Sequence, residues 1–400
     1  MTSLMWRIVA IGAAWTTVWW LIIGAFISGA IPGGWATIAA VVAVITLPLF
    51  VLVQRFRGSY PSALTRLFVF RPFWYLQLAA PLVAISAVVA FLIGLPFGMG
   101  LPAARWTVVA AGSLFVLGAV AGYIGSRVLR VKSLEARFPD LPDGLLGLRI
   151  VQISDLHVGP HTSTRFLSQI SRAVTNANPD LLVITGDQVD DYAEDVSHFA
   201  AAFAALRAPL GVFAVAGNHD VYAGWAEVHR GMSAMGLRVL VNEAVQLSHG
   251  GVPFWLGGTG DPAGLGGPLG PDRSVAPDVA RTLCSIPSGA FTIVLAHNPA
   301  LWPSLAQRGV HLTLSGHTHY GQLSIPGIGW SLASLFLEHA MDWHARDESL
   351  LYINPGTNYW GLPLRLGALP EVTIITLARS RSDKPDIGPV AVQPSGTITT

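Results

Sequence analysis

The sequence predicts an α-helical membrane region of four transmembrane helices, followed by an α/β domain. Three observations predict this. Charged residues make up 12% of the 400 residues and hydrophobic ones 52%, about half the ~25% charge of a soluble globular chain. The charges are also segregated. Residues 1–134 hold eight Arg, one Lys and no Asp or Glu, whereas 23 acids and 15 bases follow, so the net charge of +1 is a cancellation of +9 and −8. Finally, all twelve histidines lie in the second part, where acid/base groups or metal ligands must be sought. The length allows two or three domains. The expected divisions are an anchor over 1–134, a chemical domain over 135–378 and a polar, disordered tail over 379–400.

The anchor reads span by span. No residue between Arg7 and Arg55 is charged, and the turn signal Ile31-Pro32-Gly33-Gly34 divides this run into pieces over 8–28 and 35–53. Each is close to the ~20 apolar residues that cross a bilayer. Two more runs, 73–93 and 106–125, are separated by the Gly/Pro-rich residues 95–102. Trp6, Trp35, Trp74, Tyr75 and Trp106 sit near run ends, where amphipathic rings favour the headgroups. A cleaved signal peptide is disfavoured, because the first run is long and three more follow. No ionisable residue lies inside the runs, so the pathway groups of a channel or pump are missing and an anchor is expected.

Orientation follows from positive charge. Arg55, Arg57, Arg66 and Arg71 lie between the second and third runs, Arg127, Arg130, Lys132 and Arg137 follow the fourth, and only Arg105 lies opposite. Short cytoplasmic loops are enriched in Lys and Arg, so both termini and the chemical domain are expected in the cytoplasm of a multi-pass membrane protein. The basic stretch 127–137 either rests on anionic headgroups or fixes the last span. Cys284 is the one cysteine, which excludes an intramolecular disulfide framework and a thiolate-rich metal site.

In the chemical half five β-like runs each end in Asp, Asn or His. Residues 148–154 lead into Asp155-Leu156-His157, and 181–184 into Gly186-Asp187-Gln188-Val189-Asp190. Residues 212–215 lead into Gly217-Asn218-His219-Asp220, 291–296 into His297, and 311–314 into Gly316-His317-Thr318-His319. Ligand sites of open sheets gather beyond the carboxyl ends of strands, so these residues are expected to converge. Carboxylate and amide oxygens with imidazoles suit Mn²⁺ foremost, or Fe or Zn²⁺, better than Ca²⁺. Seven such ligands exceed one tetrahedral ion but suit two ions sharing a carboxylate, ~3.5–4 Å apart, which can activate a bridging water against a phosphoryl group. The glycines before Asp187, Asn218 and His317 permit the tight approach such loops need. One Asp-x-His alone is more often a satisfied polar pair than a ligand set; five ordered motifs reverse that expectation.

These five motifs resemble the signature of the calcineurin-like metallophosphoesterases, over about residues 148–377. Ser154-Asp155-Leu156-His157-Val158-Gly159, Gly316-His317-Thr318-His319-Tyr320-Gly321-Gln322 and Gly361-Leu362-Pro363-Leu364-Arg365-Leu366-Gly367 are similar to the transmembrane branch, which includes UDP-2,3-diacylglucosamine hydrolases. The resemblance implies a two-sheet β sandwich flanked by helices. It implies that Asp155, His157, Asp187 and His319 hold one metal, and that Asp187 bridges to a second completed by Asn218, His297 and His317. His219 would serve the leaving oxygen, oriented by Asp190 or Asp220, with Asp190 favoured. Tyr320 stands where this branch often has Gly and is expected to line the substrate entrance. Asp191 and Asp220 depart from the protein serine/threonine phosphatase pattern.

The remaining histidines, His161, His198, His229, His249, His311, His339 and His344, match no motif and are read as surface or packing residues. The cluster Glu338-His339 to Asp342-Trp343-His344 reads as a solvated helix or cap segment. The Gly-rich run 257–270 reads as a flexible surface loop, or a lid beside the metals. The resulting expectation is a membrane-anchored phosphoesterase cutting a phosphodiester or pyrophosphate in a lipid-linked or nucleotide-linked substrate, such as UDP-2,3-diacylglucosamine. Alternatives are a phosphodiesterase on soluble cyclic nucleotides and a non-catalytic membrane scaffold. Nucleic acid is not expected as a partner, because the chemical half is acidic.

Overall fold

The structure, a computed structural model, describes residues 2–55, 60–266 and 270–390. The chain divides into two compact units, Met1–Ala121 and Gly122–Thr400.

Apolar sequence and helix geometry account for the first unit, since a helix satisfies its own backbone polar groups where no water can. Its helices are α1 (Thr2–Ile27), α2 (Gly34–Arg55), the single turn α3 (Ala63–Thr65), α4 (Arg71–Gly94) and α5 (Gly100–Gly125), which runs on into the second unit. Ser62 caps α3 by accepting from the Thr65 N–H, and a π-helical turn over Arg66–Phe70 joins α3 to α4. Thr16 is buried between α1 and α4, donating to Gly12 O at 2.8 Å or Gln77 Oε1 at 3.0 Å.

Among the described residues, three stretches are long and apolar enough to cross a membrane: Val9–Ala30, Ala63–Phe97 and Gly100–Gly125. The expected four spans therefore become three. Of α2, the stretch Gly34–Leu49 is an apolar helix too short to count among them. Arg57, used above for orientation, lies outside the described residues.

The second unit is a two-sheet sandwich. Its strands are β1 (Arg130–Phe138), β2 (Arg149–Ile153), β3 (Leu181–Thr185), β4 (Val212–Val215), β5 (Arg238–Val239), β6 (Glu243–His249), β7 (Val252–Gly258), β8 (Thr292–Leu295), β9 (Leu312–Ser315), β10 (Ser324–Ile325), β11 (Trp330–Ser331), β12 (Asp342–Arg346), β13 (Ser349–Ile353), β14 (Glu371–Arg379) and β15 (Asp386–Pro389). One sheet has the order β15-β1-β14-β2-β3-β4-β5 and the other β12-β13-β9-β8-β7-β6; β10 and β11 form a small hairpin. The strands β2, β3 and β4 are parallel neighbours, as are β7, β8 and β9. All five β-like runs of the sequence are strands in these two parallel groups.

Strands covered on both faces read as unbroken apolar runs, and every residue of β3, β8 and β9 is buried. Between the sheets Ile150, Val183 and Phe213 meet Phe254, Ile293 and Leu314. On the outer face α6 (Thr164–Asn176) lays Phe166, Ile170 and Val174, spaced four apart, against Val151, Leu182 and Ile184. Each such side chain contributes about 1.5–3 kcal/mol by leaving water. The helices α7 (Val196–Phe203) and α8 (Asn218–Ala234) complete that layer through Phe199, Val228 and Met232.

Tertiary pairing moves several expected boundaries. The division at 134/135 falls inside β1, so Arg130, Lys132 and Arg137 of the basic stretch belong to a strand paired with β14. Residues 386–389 of the expected disordered tail form β15 against β1, with Arg137 contacting Asp386 at 3.3 Å; residues 391–400 lie outside the described residues. Asp342, Trp343 and His344 form part of strand β12 rather than a helix, because β13 supplies an antiparallel partner. The Gly-rich run begins in β7. A Cβ on Gly258 would stand 2.4 Å from Leu240, so this glycine allows close approach rather than flexibility. Residues 267–269 of that run lie outside the described residues.

Candidate metal centre

The loops after the parallel strands bring the motif residues together. Asp155 and His157 follow β2, Asp187 and Asp190 follow β3, Asn218 and His219 open α8 after β4, His297 follows β8, and His317 and His319 follow β9. Asp155, His157, Asp187, His317 and His319 all have positive φ, between 40° and 72°. Non-glycine residues adopt this region at a cost of order 1–3 kcal/mol each, and such strain clusters at functional sites. Glycines make room beside them. A Cβ on Gly186 would lie 2.3 Å from His297 Nδ1, and one on Gly316 would lie 2.2 Å from Asp155 Oδ2.

The functional atoms form an adjoining array. His157 Nε2 is 3.0 Å from His319 Nε2, which is 3.2 Å from Asp155 Oδ1. Asp187 Oδ2 lies 3.6 Å from His157 Nε2 and 3.3 Å from His297 Nε2. Asn218 Oδ1 is 3.2 Å from His297 Nε2 and 2.8 Å from His317 Nδ1. Two sets of three could each hold a metal ion, Asp155–His157–His319 and Asp155–Asp187–His297, and a third joins His157, Asp187 and His219. All seven expected ligands are thus in one place.

Electrostatics suit a cation. Burial pushes His157, His317 and His319 down to about 4, so each offers an imidazole lone pair at neutral pH. Burial opposes ionisation of Asp155 and Asp187, but the surrounding imidazoles, His319 for Asp155 and His297 for Asp187, outweigh it and hold both carboxyls below the usual range. His297 is raised well above the ordinary value, because Asp187 overcomes its burial. Ionised carboxylates, an amide oxygen and the neutral imidazoles of His157, His317 and His319 suit a divalent cation, and His297 would release its proton on joining them.

The outer contacts fix these groups. Ser154 Oγ donates to Asp155 Oδ2 at 2.5 Å, and the His219 N–H donates to Asp187 Oδ1 at 2.8 Å. His157 Nδ1 faces Asp190 Oδ1 at 3.3 Å, and His161 Nδ1 faces Asp190 Oδ2 at 3.6 Å. Asp190 meets His219 through its backbone carbonyl, 2.9 Å from Nδ1, rather than through its carboxylate. Burial lowers His219, but Asp187 and that carbonyl raise it further, leaving it above its ordinary value. The Asp220 carboxylate does not face His219: it accepts from the N–H groups of Gln188, Val189 and Gly217. Tyr320 does not line an entrance. Its ring is buried against Trp302 and Met341, and its hydroxyl donates to Ile353 O and accepts from Asp342 N, both at 2.8 Å.

Sequence reasoning missed four neighbours. His161 was read as a surface or packing residue, although it lies four positions after His157. Asp191 borders Asp190 and His219, and burial and Asp190 raise it to about 6. Asp261 is buried and pushed up to about 6 by burial; no sequence signal marked it. Arg365 stood in a quoted motif without a role. It is fully buried, donating to Pro355 O and Ala368 O and contacting His319 Nδ1 at 2.7 Å. Trp360 and Tyr222 flank the His219 ring, each with centroids 5.7 Å away.

Fold and site together define a domain of metallophosphoesterase type in a chain that also carries helices of membrane-spanning type. A family profile described as calcineurin-like phosphoesterase matches residues 148–321. An uncharacterized metallophosphoesterase of Aquifex aeolicus is 31% identical over 265 residues, covering 66% of this chain and 96% of the relative. Another from Bacillus subtilis, YkuE, is 30% identical, covering 67% and 93%. A transmembrane protein with metallophosphoesterase domain from Danio rerio is 32% identical, covering 63% of this chain and 58% of its own. The chain belongs to the calcineurin-like metallophosphoesterase family. It spans about six tenths of the Danio rerio, Campylobacter jejuni and Helicobacter pylori relatives. Among solved structures, the NAD nucleotidase of Haemophilus influenzae resembles it with a TM-score of 0.39 at 13% identity, covering 53% of this chain and 45% of that one.

Proposed function

We propose that this chain is a membrane-anchored, dinuclear metal-dependent hydrolase of a phosphodiester or pyrophosphate bond in a lipid-linked or nucleotide-linked substrate. The observation that carries the reading is the position of Asp187 Oδ2 between His157 Nε2 at 3.6 Å and His297 Nε2 at 3.3 Å, one from each ligand set. In this reading Asp155, His157, Asp187 and His319 hold one ion, and Asp187, Asn218, His297 and His317 the other, Mn²⁺ being the ion that best suits the mixed oxygen and imidazole set. The bound ions would polarise the phosphoryl oxygens and lower the pKa of a water between them.

The chain's own residues do the rest. His219, with Nδ1 engaged by the Asp190 carbonyl, has Nε2 to offer to the leaving oxygen, and its raised pKa keeps a proton available. Trp360 and Tyr222, flanking His219, supply an aromatic wall beside the leaving group. The carboxylate of Asp190 orients His157 and His161 rather than His219. Anchoring favours an amphiphilic substrate, because enzyme and substrate then share one surface. UDP-2,3-diacylglucosamine is the named candidate, and the cluster of Lys and Arg at the span ends supports a cytoplasmic catalytic domain.

Purified full-length chain with Mn²⁺, assayed on lipid-linked and soluble diesters, tests the reading. Asp187→Asn should abolish turnover of both and lower the bound metal; wild-type turnover in that variant would overturn the mechanism.

A further inference from the structure

Residues 309–337 contain no Asp, Glu, Lys or Arg, yet the last part of this stretch is turned outward. Ile325, Ile328, Leu335, Phe336 and Leu337 are 51%, 73%, 62%, 81% and 40% exposed. Apolar groups concentrated in this way mark an interaction surface rather than the scattered exposure of ordinary monomers. The segment is not loose: Leu332 N donates to Leu323 O at 2.8 Å, β10 pairs β11, and Ala333 and Met341 are buried beneath it. What is displayed is therefore a built surface.

The front of the segment is tied to the last turn of α5 and the back to the strand that follows it. At the front, Ser324 N donates to Leu366 O, and Leu323 bridges Leu366. The neighbouring Arg365 N–H donates at 2.9 Å to Gly122 O, in the last turns of α5. Gly122 lies so close to Leu364 that a Cβ there would approach to 2.4 Å. At the back, Asp342 pairs with Lys132 at 3.2 Å, two residues into β1 and seven beyond the end of α5. The helix whose last turn holds the front tie is itself a candidate membrane span, Gly100–Gly125.

We infer that the surface bearing Ile325, Ile328 and Leu335–Phe336–Leu337 beds into the headgroup and acyl boundary of the bilayer that α5 crosses. A charge-free, apolar projection fits the lipid surface, since apolar area buried at the interface drives such binding. His319 and Gln322 lead directly into this segment, and Gln322 donates to Trp360 O beside His219. The surface therefore presents the metal centre to the membrane, and the substrates it selects are amphiphiles whose headgroups reach His219 while their chains stay in lipid. This substrate statement rests on the proposed hydrolase reading; the docking does not.

The test uses the full chain in lipid nanodiscs, in a Cys284→Ser background, with an environment-sensitive label at Phe336→Cys or Ile328→Cys and a control at Ser382→Cys. Nitroxide-bearing lipids should quench the first two labels and leave the third bright. Unquenched emission at 336 and 328 would overturn the inference, as would cross-linking between 336 positions of two copies without lipid quenching. The double variant Leu335→Ser/Phe336→Ser should lose turnover of a bilayer-embedded diester while keeping that of bis(p-nitrophenyl) phosphate, and its thermal unfolding should match the parent. Quenching needs no turnover, so a parent chain inert to both diesters would count against the hydrolase reading while the labels still decide the docking.

Discussion

Gly217→Ala isolates the steric argument for the metal centre. Gly217 precedes Asn218 with φ −108° and ψ 173°, a conformation open to any residue. Backbone strain therefore plays no part. A Cβ there would stand 2.2 Å from Asp187 N and Oδ1, whereas ordinary contact begins at 3.4 Å, so Asp187 or the strand end must retreat by about 1.2 Å. The retreat cannot be taken up by rotating a flexible tip, because Asp187 Oδ1 is held by the His219 N–H and its backbone carries φ 52°. A misplacement of about 1 Å costs roughly 10²-fold in turnover, and overpacking costs about 1–3 kcal/mol of stability. Mn²⁺ binding by calorimetry should weaken by roughly 10–100-fold. Gly236→Ala is the control: φ is 83° with no atom within 4 Å, so it should cost roughly 1–2 kcal/mol in strain and leave metal affinity unchanged. Parental affinity and turnover in Gly217→Ala would refute the reasoning.

Two further outcomes are expected. Tyr320→Phe leaves Ile353 O and Asp342 N without their partner, costing about 1–3 kcal/mol in denaturant unfolding with kcat and KM unchanged; an altered KM at parental stability would restore a role at the entrance. Asp261, raised by burial to about 6, binds its proton more tightly folded than unfolded. Its penalty is absent below about pH 4, grows between about 4 and 6 and is complete above, at roughly 3 kcal/mol. Asp261→Asn, which retains an acceptor for Ala263 N, should therefore raise the unfolding temperature of chelator-treated protein at pH 8 and not at pH 4. A gain equal at both pH values would contradict the assignment.

The strands that carry the ligands were legible because each is buried on both faces and so reads as an apolar run ending in a polar motif. The small glycines before Asp187, Asn218 and His317 were legible for the same reason, as breaks between strand and loop. What misled the reading was local pattern without its partner. Tyr320 lies beside His319 in sequence, but the left-handed backbone over His319 and Tyr320 turns its ring into the core. Asp342 to His344 has helical spacing, but β13 lies alongside and takes it into the sheet. Asp220 looked like an orienting carboxylate, yet the turn after β3 offers it two N–H donors and its own helix start a third. The apolar run over 35–53 was counted as a span on composition, while among the described residues three other stretches are long and apolar enough to cross a membrane.

By itself the sequence determined that this chain joins a cation-flanked apolar region to a domain with seven metal-type donors in five ordered motifs, because hydropathy, charge and spacing are properties of neighbouring residues. Only the tertiary structure decided which groups meet. It brought Asp261 within electrostatic reach of His297, set Arg365 against His319, turned the Asp190 carboxylate towards His157 and His161 instead of His219, and left Phe336 exposed. Such contacts join positions up to 46 residues apart, and they are selected by sheet order and burial, which no local pattern records.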